Sequence, residues 1–324
     1  MNLYNELIDR VGNTPLIELK PNWLGNNEMK VKLEYFNPTG SIKDRAAKFI
    51  INKLLNSGEI NSDTLLIESS SGNFGVALSF FSKINNLNFS CVIDQNINPI
   101  NEFLIETMSS QVYKITIPDE HGGYLLNRIK KVNELCTSYP NSYWINQYAN
   151  PYNAEAYYMT LGQELCDELE EIDYLFVGVS SGGTITGLSQ RIKEDNPNCK
   201  IIAVDVKGSV IFGDKPKKRL IPGIGSSMVP EILNQAIIDD YVHVDELAVI
   251  DSCHELLKNH MVYAGGSSGA VFAAVKVYLE RISKPGMNAK IVTIFPDRGD
   301  RYSSTIYNNK WISKYKSQLV SEFR

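Results

Sequence analysis

Long apolar runs are missing from this sequence of 324 residues: none approaches the ~20 consecutive apolar residues that a membrane-spanning helix needs. The first residues, MNLYNELIDRVGNTPL, also lack the basic start and apolar segment of a secretory signal. Charge of neither sign dominates, because 32 basic residues face 37 acidic ones and leave a net charge of −5. We therefore expect a cytoplasmic protein whose partners include neither a membrane nor a nucleic acid.

Cysteine and histidine are both scarce, with five and four residues respectively. The cysteines are odd in number, widely separated and never in a C-x-x-C arrangement, which predicts neither a disulfide framework nor a zinc site. The histidines form no cluster with the spacing of metal ligands, so we expect no metal ion. These residues are Cys91, Cys136, Cys166, Cys199, Cys253, His121, His243, His254 and His260.

Short apolar runs that are typical of buried strands alternate with helical patterns along almost the whole chain. Repeated strand–helix units form parallel sheets, and strands that are covered on both faces are near-continuous apolar runs. The sequence therefore predicts an α/β protein with parallel sheets flanked by helices, long enough to form two domains. The predicted strands are Lys30–Glu34, Thr64–Glu68, Phe89–Asp94, Gln111–Ile117, Tyr174–Val179, Lys200–Val206 and Lys290–Pro296. The predicted helices are Asp44–Asn56, Phe74–Ile84, Tyr124–Leu135, Ala154–Glu171, Thr184–Glu194 and Ser268–Ile282.

Glycine recurs where the predicted strands end. Ligands of open α/β sheets bind at the carboxyl ends of the strands, so five glycine-bearing segments are expected to meet in one cleft, although simple turns also need glycine. These segments are Asn37–Gly40, Ser69–Gly75, Ser180–Gly183, Pro222–Gly225 and Gly265–Gly269. The stretch 207–230 carries seven Gly or Pro residues, which predicts a long loop, and such loops are usually functional.

Lys43 is predicted to lie in the first turn of a helix, within the segment Asn37-Pro-Thr-Gly-Ser-Ile-Lys-Asp-Arg45 that follows a strand. A cation is unfavourable there, because it faces the positive end of the helix dipole. A lysine that forms an imine, or whose pKa is lowered, avoids much of this penalty. A surface lysine is the simpler alternative, since most lysines are exposed.

Three further segments precede predicted helices. Glu68-Ser-Ser-Ser-Gly-Asn-Phe-Gly75 and Ser180-Ser-Gly-Gly-Thr184 are able to bind a carboxylate or a phosphate through the unpaired amides of a helix N-terminus. Gly265-Gly-Ser-Ser-Gly269 opens a third helix. Capped turns are the alternative for the first and third segments, because Ser and Asn are favoured helix caps, and a Ser/Gly loop such as the second is weak evidence when taken alone.

These segments, together with Gly12-Asn-Thr-Pro-Leu16 and Pro296-Asp-Arg-Gly-Asp-Arg-Tyr302, stand in the order and spacing of a known family. The chain resembles the cysteine synthase family, the fold-type II pyridoxal-phosphate enzymes that also include cystathionine β-synthase and the tryptophan synthase β subunit. The resemblance implies a two-domain, tryptophan synthase β-like fold with pyridoxal 5′-phosphate in the cleft between the domains. The smaller domain is expected at 41–145 and the larger at 1–40 plus 146–324, and a homodimer is expected.

The resemblance also assigns residues to the cofactor. It implies that Lys43 binds the cofactor covalently and later moves the Cα proton of the substrate. Asn73 matches the residue bonded to the 3′ oxygen, and Ser267 matches the serine beside the pyridine nitrogen. A neutral hydroxyl leaves that nitrogen largely unprotonated, which favours β-elimination over transamination. The residues that match the phosphate-binding loop are Ser181, Gly182, Gly183 and Thr184.

Further matches concern the amino-acid substrate. The residues that match the loop gripping the substrate α-carboxylate are Ser70, Ser71 and Gly72. Gln147 matches a residue near that carboxylate, and Tyr148 adds a hydroxyl where phenylalanine is common. Phe74 replaces a threonine of the family, which puts sulfide, the usual nucleophile, in doubt.

The segment His121-Gly-Gly-Tyr-Leu-Leu-Asn-Arg128 is unlike ordinary cysteine synthases. It resembles the branch that makes N-(2-amino-2-carboxyethyl)-L-glutamate for siderophores built on 2,3-diaminopropionate, as do the stretches 207–216, 222–225 and 296–302. This resemblance implies two amino-acid substrates, O-phospho-L-serine and L-glutamate. Glutamate brings two carboxylates that need donors, and Arg128 is the leading candidate, with a solvated arginine as the alternative.

Two other functions remain open. A cysteine synthase or a cystathionine synthase would use the same donor chemistry with sulfide or homocysteine as the nucleophile. A catalytically silent partner of another protein would not need an intact site. The presence of Lys43, Asn73 and Ser267 together argues against such a silent protein.

Overall fold

Two β-sheets organise the computed structural model, which describes residues 3–119, 123–282 and 284–322. The strands are β1 (Leu16–Leu19), β2 (Glu28–Leu33), β3 (Leu65–Ser69), β4 (Asn88–Asp94), β5 (Gln111–Ile115), β6 (Ser142–Trp144), β7 (Tyr174–Gly178), β8 (Lys200–Val206), β9 (Asp240–Val244) and β10 (Lys290–Phe295). The larger sheet has the order β1-β2-β10-β7-β8-β9, and the smaller has the order β5-β4-β3-β6. Neighbouring strands are parallel except for β1 and β2, so the predicted α/β class with parallel sheets is confirmed.

Helices follow most of the strands. They are α1 (Leu3–Asp9), α2 (Lys43–Ser57), α3 (Asn73–Ile84), α4 (Pro99–Met108), α5 (Leu125–Ser138), α6 (Tyr152–Tyr157), α7 (Gln163–Glu168), α8 (Gly183–Asp195), α9 (Glu246–His260), α10 (Gly266–Ile282) and α11 (Asn309–Glu322). Helix α2 ends where Gly58 adopts a left-handed φ of 74°, and α4 begins after Asn98, whose side chain accepts the amide hydrogen of Ile100. Among the described helices, none has the length and apolar character needed to cross a membrane.

The strands that the apolar pattern did not predict are β1, β6 and β9. Each lies at an edge of its sheet and is partly exposed, so none has the continuous apolar run of a central strand. The helix predicted at 154–171 also differs, because a π turn at Tyr158–Gly162 interrupts it and the extended backbone of Leu169 ends it.

The larger sheet is covered by helices on both faces, which explains the apolar runs of its central strands. Phe176 of β7 packs in a core with residues of α9 and α10, such as Ile250 and Val271. Its neighbour Leu175 points the other way, into a core that includes Ile50 of α2. Because successive side chains of a strand alternate between faces, β7 has to be apolar at every position.

The segments that follow β2, β7 and β10 carry several of the residues that the sequence singled out. These three strands are parallel neighbours in the larger sheet, so their carboxyl ends meet at one edge. The segment after β3, in the smaller sheet, reaches them through the hydrogen bond of 2.8 Å from Asn73 to Asp297. The four strands of the smaller sheet lie between residues 65 and 144. The division of the chain into domains at 41–145 and at 1–40 plus 146–324 stays a prediction.

Candidate active site

Lys43 is the first residue of α2, and the backbone around it is fixed. The amide of Ile42 donates a hydrogen bond of 2.8 Å to the carbonyl of Pro296, and the Lys43 amide donates one of 3.3 Å to Oγ of Ser41. Burial lowers the pKa of the Lys43 amine to about 8, although the carboxylate of Asp297 opposes this shift. A fraction of the amine is therefore neutral near neutral pH and able to attack an aldehyde.

The segment 179–184 joins β7 to α8 and has the form of a phosphate cradle. Gly182 adopts a left-handed φ of 87°, which residues with side chains rarely adopt. A Cβ at Gly183 would lie 2.5 Å from the side chain of Asn153, so glycine fits there and a larger residue does not. The first amides of a helix have no carbonyl partner within it, which leaves them free for an oxyanion. This loop therefore fits a phosphate group.

Tyr157 is fully buried and connects the cradle to the lysine. Its hydroxyl donates a hydrogen bond of 3.5 Å to the carbonyl of Ile42 and also contacts the side chain of Thr184. The buried side chain of Tyr157 thus contacts both the lysine segment, at Ile42, and the last residue of the cradle, Thr184.

Ser267 and Ser268 lie in the first turn of α10, and both residues are buried. The hydroxyl of Ser268 is completely buried and has no hydrogen-bond partner among the described residues. Buried hydroxyls are normally paired, so this one indicates a bound group or a solvent molecule nearby. No hydrogen bond joins the hydroxyl of Ser267 to another described residue, so it is able to face an acceptor such as a ring nitrogen.

Asn73 begins α3, and its side-chain amide is held at both ends. Nδ2 donates a hydrogen bond of 2.8 Å to Oδ2 of Asp297, and Oδ1 accepts one from the guanidinium of Arg301. Sequence reasoning identified Asn73 but neither of these two partners. The available signal was the segment 296–302, whose residues had no assigned role.

The loop between β3 and α3 is where the substrate carboxylate was expected. Oγ of Ser70 accepts hydrogen bonds from the amides of Gly72 (3.3 Å) and Gly75 (3.0 Å) and so caps the start of α3. Nε2 of Gln147 donates one of 3.3 Å to the carbonyl of Ser69. The structure thus places Ser70, Gly72 and Gln147 together, with the Ser70 hydroxyl engaged in shaping the loop.

Arg128 of α5 reaches the same loop. Its Nη1 donates a hydrogen bond of 3.1 Å to Oγ of Ser71, and its Nε lies 3.4 Å from Oδ2 of Asp94. The Ser71 hydroxyl donates one of 2.6 Å to the same carboxylate oxygen. The Arg128 side chain is 13% exposed, so the alternative of a solvated arginine is wrong. His121, at the start of its segment, lies outside the described residues.

Tyr148 lies within electrostatic reach of two arginines. Burial raises the pKa of its hydroxyl, and the positive charges of Arg128 and Arg219 oppose that rise. The carbonyl of Tyr148 accepts a hydrogen bond of 3.0 Å from the amide of Ile232, which follows the long loop 207–230. Arg219 belongs to that loop, so the loop contributes a cation to the surroundings of Tyr148.

Arg219 was not among the residues that the sequence singled out, although its loop was. The guanidinium donates hydrogen bonds to the carbonyls of Gly208 (3.1 Å) and Ser226 (2.7 Å) and to Oγ of Ser227 (3.1 Å). Burial lowers its pKa. In the described part of the chain no carboxylate lies within 4 Å of it, and the charges of Asp205 and Glu246 act on it from further away.

Known proteins share both the sequence pattern and the fold. A family model described as "Pyridoxal-phosphate dependent enzyme" matches residues 7–297. The O-acetylserine dependent cystathionine β-synthase from Helicobacter pylori is similar at 31% identity with a TM-score of 0.86, over 93% of this chain and 98% of that one. A hydrogen sulfide-producing enzyme from Fusobacterium nucleatum is similar at 28% identity and a TM-score of 0.84, over 92% and 99% of the two chains. An O-ureido-L-serine synthase is similar at 25% identity and a TM-score of 0.85, over 95% and 96%.

Proposed function

We propose that this chain condenses O-phospho-L-serine with L-glutamate. The chain belongs to the pyridoxal-phosphate dependent enzyme family and is of the β-replacement, cysteine synthase-like kind. The products are phosphate and N-[(2S)-2-amino-2-carboxyethyl]-L-glutamate, a precursor of 2,3-diaminopropionate in siderophores. The observation that carries the proposal is the pair of guanidinium groups, Arg128 and Arg219, near Tyr148 and the carboxylate loop. Glutamate has two carboxylates for such groups, whereas sulfide has none.

Bound pyridoxal 5′-phosphate withdraws electrons from the Cα of an attached amino acid. Lys43 would hold it covalently, because its amine is partly neutral. Asn73 would face the 3′ oxygen, and Ser267 would face the ring nitrogen with its unpaired hydroxyl. The residues that would hold the phosphate group are Ser181, Gly182, Gly183 and Thr184.

The chain's own residues then move one proton and orient two substrates. Lys43, once its amine is free, removes the Cα proton of phosphoserine. The Cβ–O bond breaks, and phosphate leaves with the bonding electron pair. The neutral amine of glutamate forms the new bond to Cβ and loses a proton, and Lys43 returns a proton to Cα. The backbone amide of Ser71 and the second Nε2 hydrogen of Gln147 would hold the substrate α-carboxylate throughout, because the Ser71 hydroxyl donates to Asp94.

The side chain of Phe74 is 2% exposed and belongs to the apolar core. It offers no polar group to a nucleophile, so we assign the discrimination against sulfide mainly to the cations Arg128 and Arg219.

A sulfur nucleophile defines the second candidate function, because the similar Helicobacter pylori enzyme is a cystathionine β-synthase. The purified, cofactor-loaded protein would be offered O-phosphoserine or O-acetylserine with glutamate, sulfide or homocysteine, and the products identified by mass. We expect the glutamate adduct from O-phosphoserine as the main product. Cysteine or cystathionine without any glutamate adduct would overturn the proposal.

Loss of either guanidinium is expected to weaken the use of glutamate while the donor half of the reaction continues. A charge-assisted hydrogen bond is worth ~1.5–3 kcal/mol, so Arg128→Ala and Arg219→Ala should each raise the half-saturating glutamate concentration roughly ten- to a hundredfold. Glutamate takes no part in the first half-reaction, so single-turnover release of phosphate from O-phosphoserine should change little in Arg219→Ala. In Arg128→Ala it should fall less than the use of glutamate, because Arg128 also contacts Ser71. Two quantities are measured. The first is the release of phosphate in the absence of an acceptor, and the second is the rate of product formation as a function of glutamate concentration.

Arg281→Ala is the matched control, because Arg281 is exposed at the end of α10. It should leave both measurements unchanged. An unaltered glutamate dependence in Arg128→Ala and in Arg219→Ala would remove this pair from acceptor binding.

A carboxylate at position 267 is expected to change the cofactor's spectrum and slow the reaction. Ser267→Asp would place an anion beside the ring nitrogen and favour its protonation, which strengthens electron withdrawal and prolongs long-wavelength absorption during turnover. We expect turnover to fall roughly tenfold, which corresponds to about 1.4 kcal/mol of barrier. Ser267→Thr, which keeps a neutral hydroxyl at the same position, is the control and should leave the spectrum unchanged. Identical spectra and rates for Ser267→Asp and the unaltered protein would show that Ser267 does not face the ring.

A further inference from the structure

Asp297 lies where three segments of the site meet. It is the second residue after β10, and the residue before it, Pro296, accepts the amide hydrogen of Ile42 next to the lysine. The carbonyl of Asp297 accepts the amide hydrogen of Gly265 at 3.0 Å, in the segment that leads to the buried serines. Its carboxyl group reaches Asn73 at the start of α3.

The two carboxyl oxygens of Asp297 have different surroundings. Oδ2 accepts hydrogen bonds of 2.8 Å from Asn73 and of 2.8 Å from the hydroxyl of Tyr302. Oδ1 is buried and has no hydrogen-bond partner among the described residues. A Cβ at Gly265 would lie only 2.0 Å from Oδ1, so a residue with a side chain would clash with this oxygen and only glycine fits there. A buried, unpaired carboxylate oxygen is costly and indicates a role beyond packing.

The contacts of Asn73 permit a single orientation of its amide. The Arg301 guanidinium is only a donor, so it fixes Oδ1 of Asn73 on its side, and a carboxylate is only an acceptor, so Asp297 fixes Nδ2. Nδ2 carries two hydrogens, and Asp297 uses one of them. The other remains available for an acceptor in the cleft.

Asp297 also faces the lysine amine. Its negative charge opposes the effect of burial on the pKa of Lys43, which is lowered to about 8. Burial raises the pKa of Asp297 itself, and the charge of Arg301 counteracts that rise. The titratable and charged groups that face Asp297 are Lys43, Arg301, Tyr302, Asp300, Cys253 and Tyr307.

We propose that Asp297 is a positioning residue of the cofactor site, which orients the amide of Asn73 and supplies the negative charge that faces the Lys43 amine. The proposal concerns capture of pyridoxal 5′-phosphate before any amino acid binds. It therefore stands or falls independently of the substrates assigned to the enzyme.

The pH dependence of capture separates this role from packing. Only the neutral amine attacks the aldehyde of the cofactor, so capture accelerates as the pH rises through the pKa of Lys43. Asp297→Asn keeps a hydrogen-bond acceptor for Asn73 but removes the charge, so the pKa of Lys43 should fall. An adjacent opposite charge shifts a pKa by roughly one to three units when close, and we expect the capture midpoint to move down by about one pH unit.

The experiment uses the cofactor-free full chain and follows the growth of the visible band after pyridoxal 5′-phosphate is added. It is repeated at pH values from about 6 to about 10, a range that lies on both sides of the pKa of the Lys43 amine. Asp297→Asn should shift the midpoint downward with little loss of cofactor affinity. Asp297→Ala should show the same shift and also bind the cofactor roughly tenfold more weakly, because it no longer holds Asn73. Asp300→Asn, a change to a half-exposed carboxylate of the same turn, is the control and should move neither quantity.

An unchanged midpoint in Asp297→Asn would overturn the proposal, as would an equal shift in Asp300→Asn. Weaker binding at every pH with an unshifted midpoint would reveal a purely structural role. If Asp297→Ala does not fold, the isosteric Asp297→Asn still decides the question.

Discussion

Lys43→Ala is expected to abolish the visible absorption band of the cofactor-loaded protein. The same change should lower turnover by roughly 10²- to 10⁴-fold or more, the contribution usual for a positioned acid–base group. Both effects have one cause, because the amine whose pKa burial lowers to about 8 is assigned to hold the cofactor and then to move the Cα proton. Added free amines do not restore the geometry that α2 provides.

Borohydride reduction and peptide mapping locate the lysine that carries the cofactor. We expect the reduced group on the peptide that contains Lys43 in the unaltered protein. Lys48→Ala is the matched control, since Lys48 is on the same helix and its amine donates a hydrogen bond of 2.9 Å to the carbonyl of Ile8. That variant should keep both the band and the activity. A reduced cofactor on a different lysine would end the assignment of Lys43.

Arg45→Ala is expected to destabilise the fold by about 3–5 kcal/mol, the range for breaking a buried ion pair from one side. Nε of Arg45 lies 2.7 Å from the carboxylate of Glu34, and Nη1 lies 2.6 Å from that of Glu164. Arg45 and Glu34 are almost completely buried. Removal of the arginine leaves the Glu34 carboxylate without its counter-charge, next to the helix that begins with Lys43.

Urea denaturation at neutral pH measures this loss. Lys53→Ala is the control, because it breaks an ion pair with Glu155 of 2.6 Å whose two side chains are 43% and 36% exposed. Exposed pairs contribute about 0–1 kcal/mol, so the two variants should differ clearly. A loss in Arg45→Ala no larger than that in Lys53→Ala would show that the buried ion pairs do not stabilise the fold.

The same ion pairs give the stability a pH dependence of known sign. Burial acts to raise the pKa of Glu164, but the hydrogen bonds and charge of Arg45 overcome it and hold that pKa at about 2, against an ordinary 4.5. A depressed carboxylate pKa stabilises the fold above the unfolded-state value and loses that effect as the pH falls. The unaltered protein should therefore lose stability between about pH 4.5 and 2, and Arg45→Ala should lose less over that interval.

Several features of this protein were predictable from the sequence because each has a local cause. The central strands β7 and β8 are apolar at successive positions since both of their faces are covered. Lys43 could be placed in the first turn of a helix, and Gly182 and Gly183 in a tight loop, because their neighbours along the chain determine these conformations. Edge strands such as β1 and β9 were not predictable in this way, since their exposed faces interrupt the apolar pattern.

The sequence by itself therefore determined the class of the fold, the buried strands and the positions of the segments that we propose bind the cofactor, whereas the strand order was decided in the tertiary structure. Strand β10, the last of the described strands, lies between β2 and β7. This position brings Asp297 to the segment of Lys43 and into contact with Asn73, and the chain separates Asn73 from Asp297 by 224 residues. An apolar pattern shows that a strand is buried but not which strands flank it, because the backbone hydrogen bonds of a sheet are the same for every neighbour. The surroundings of Arg128 and Arg219 were decided in the same way: a long polar side chain is exposed or buried according to the distant segments that fold over it.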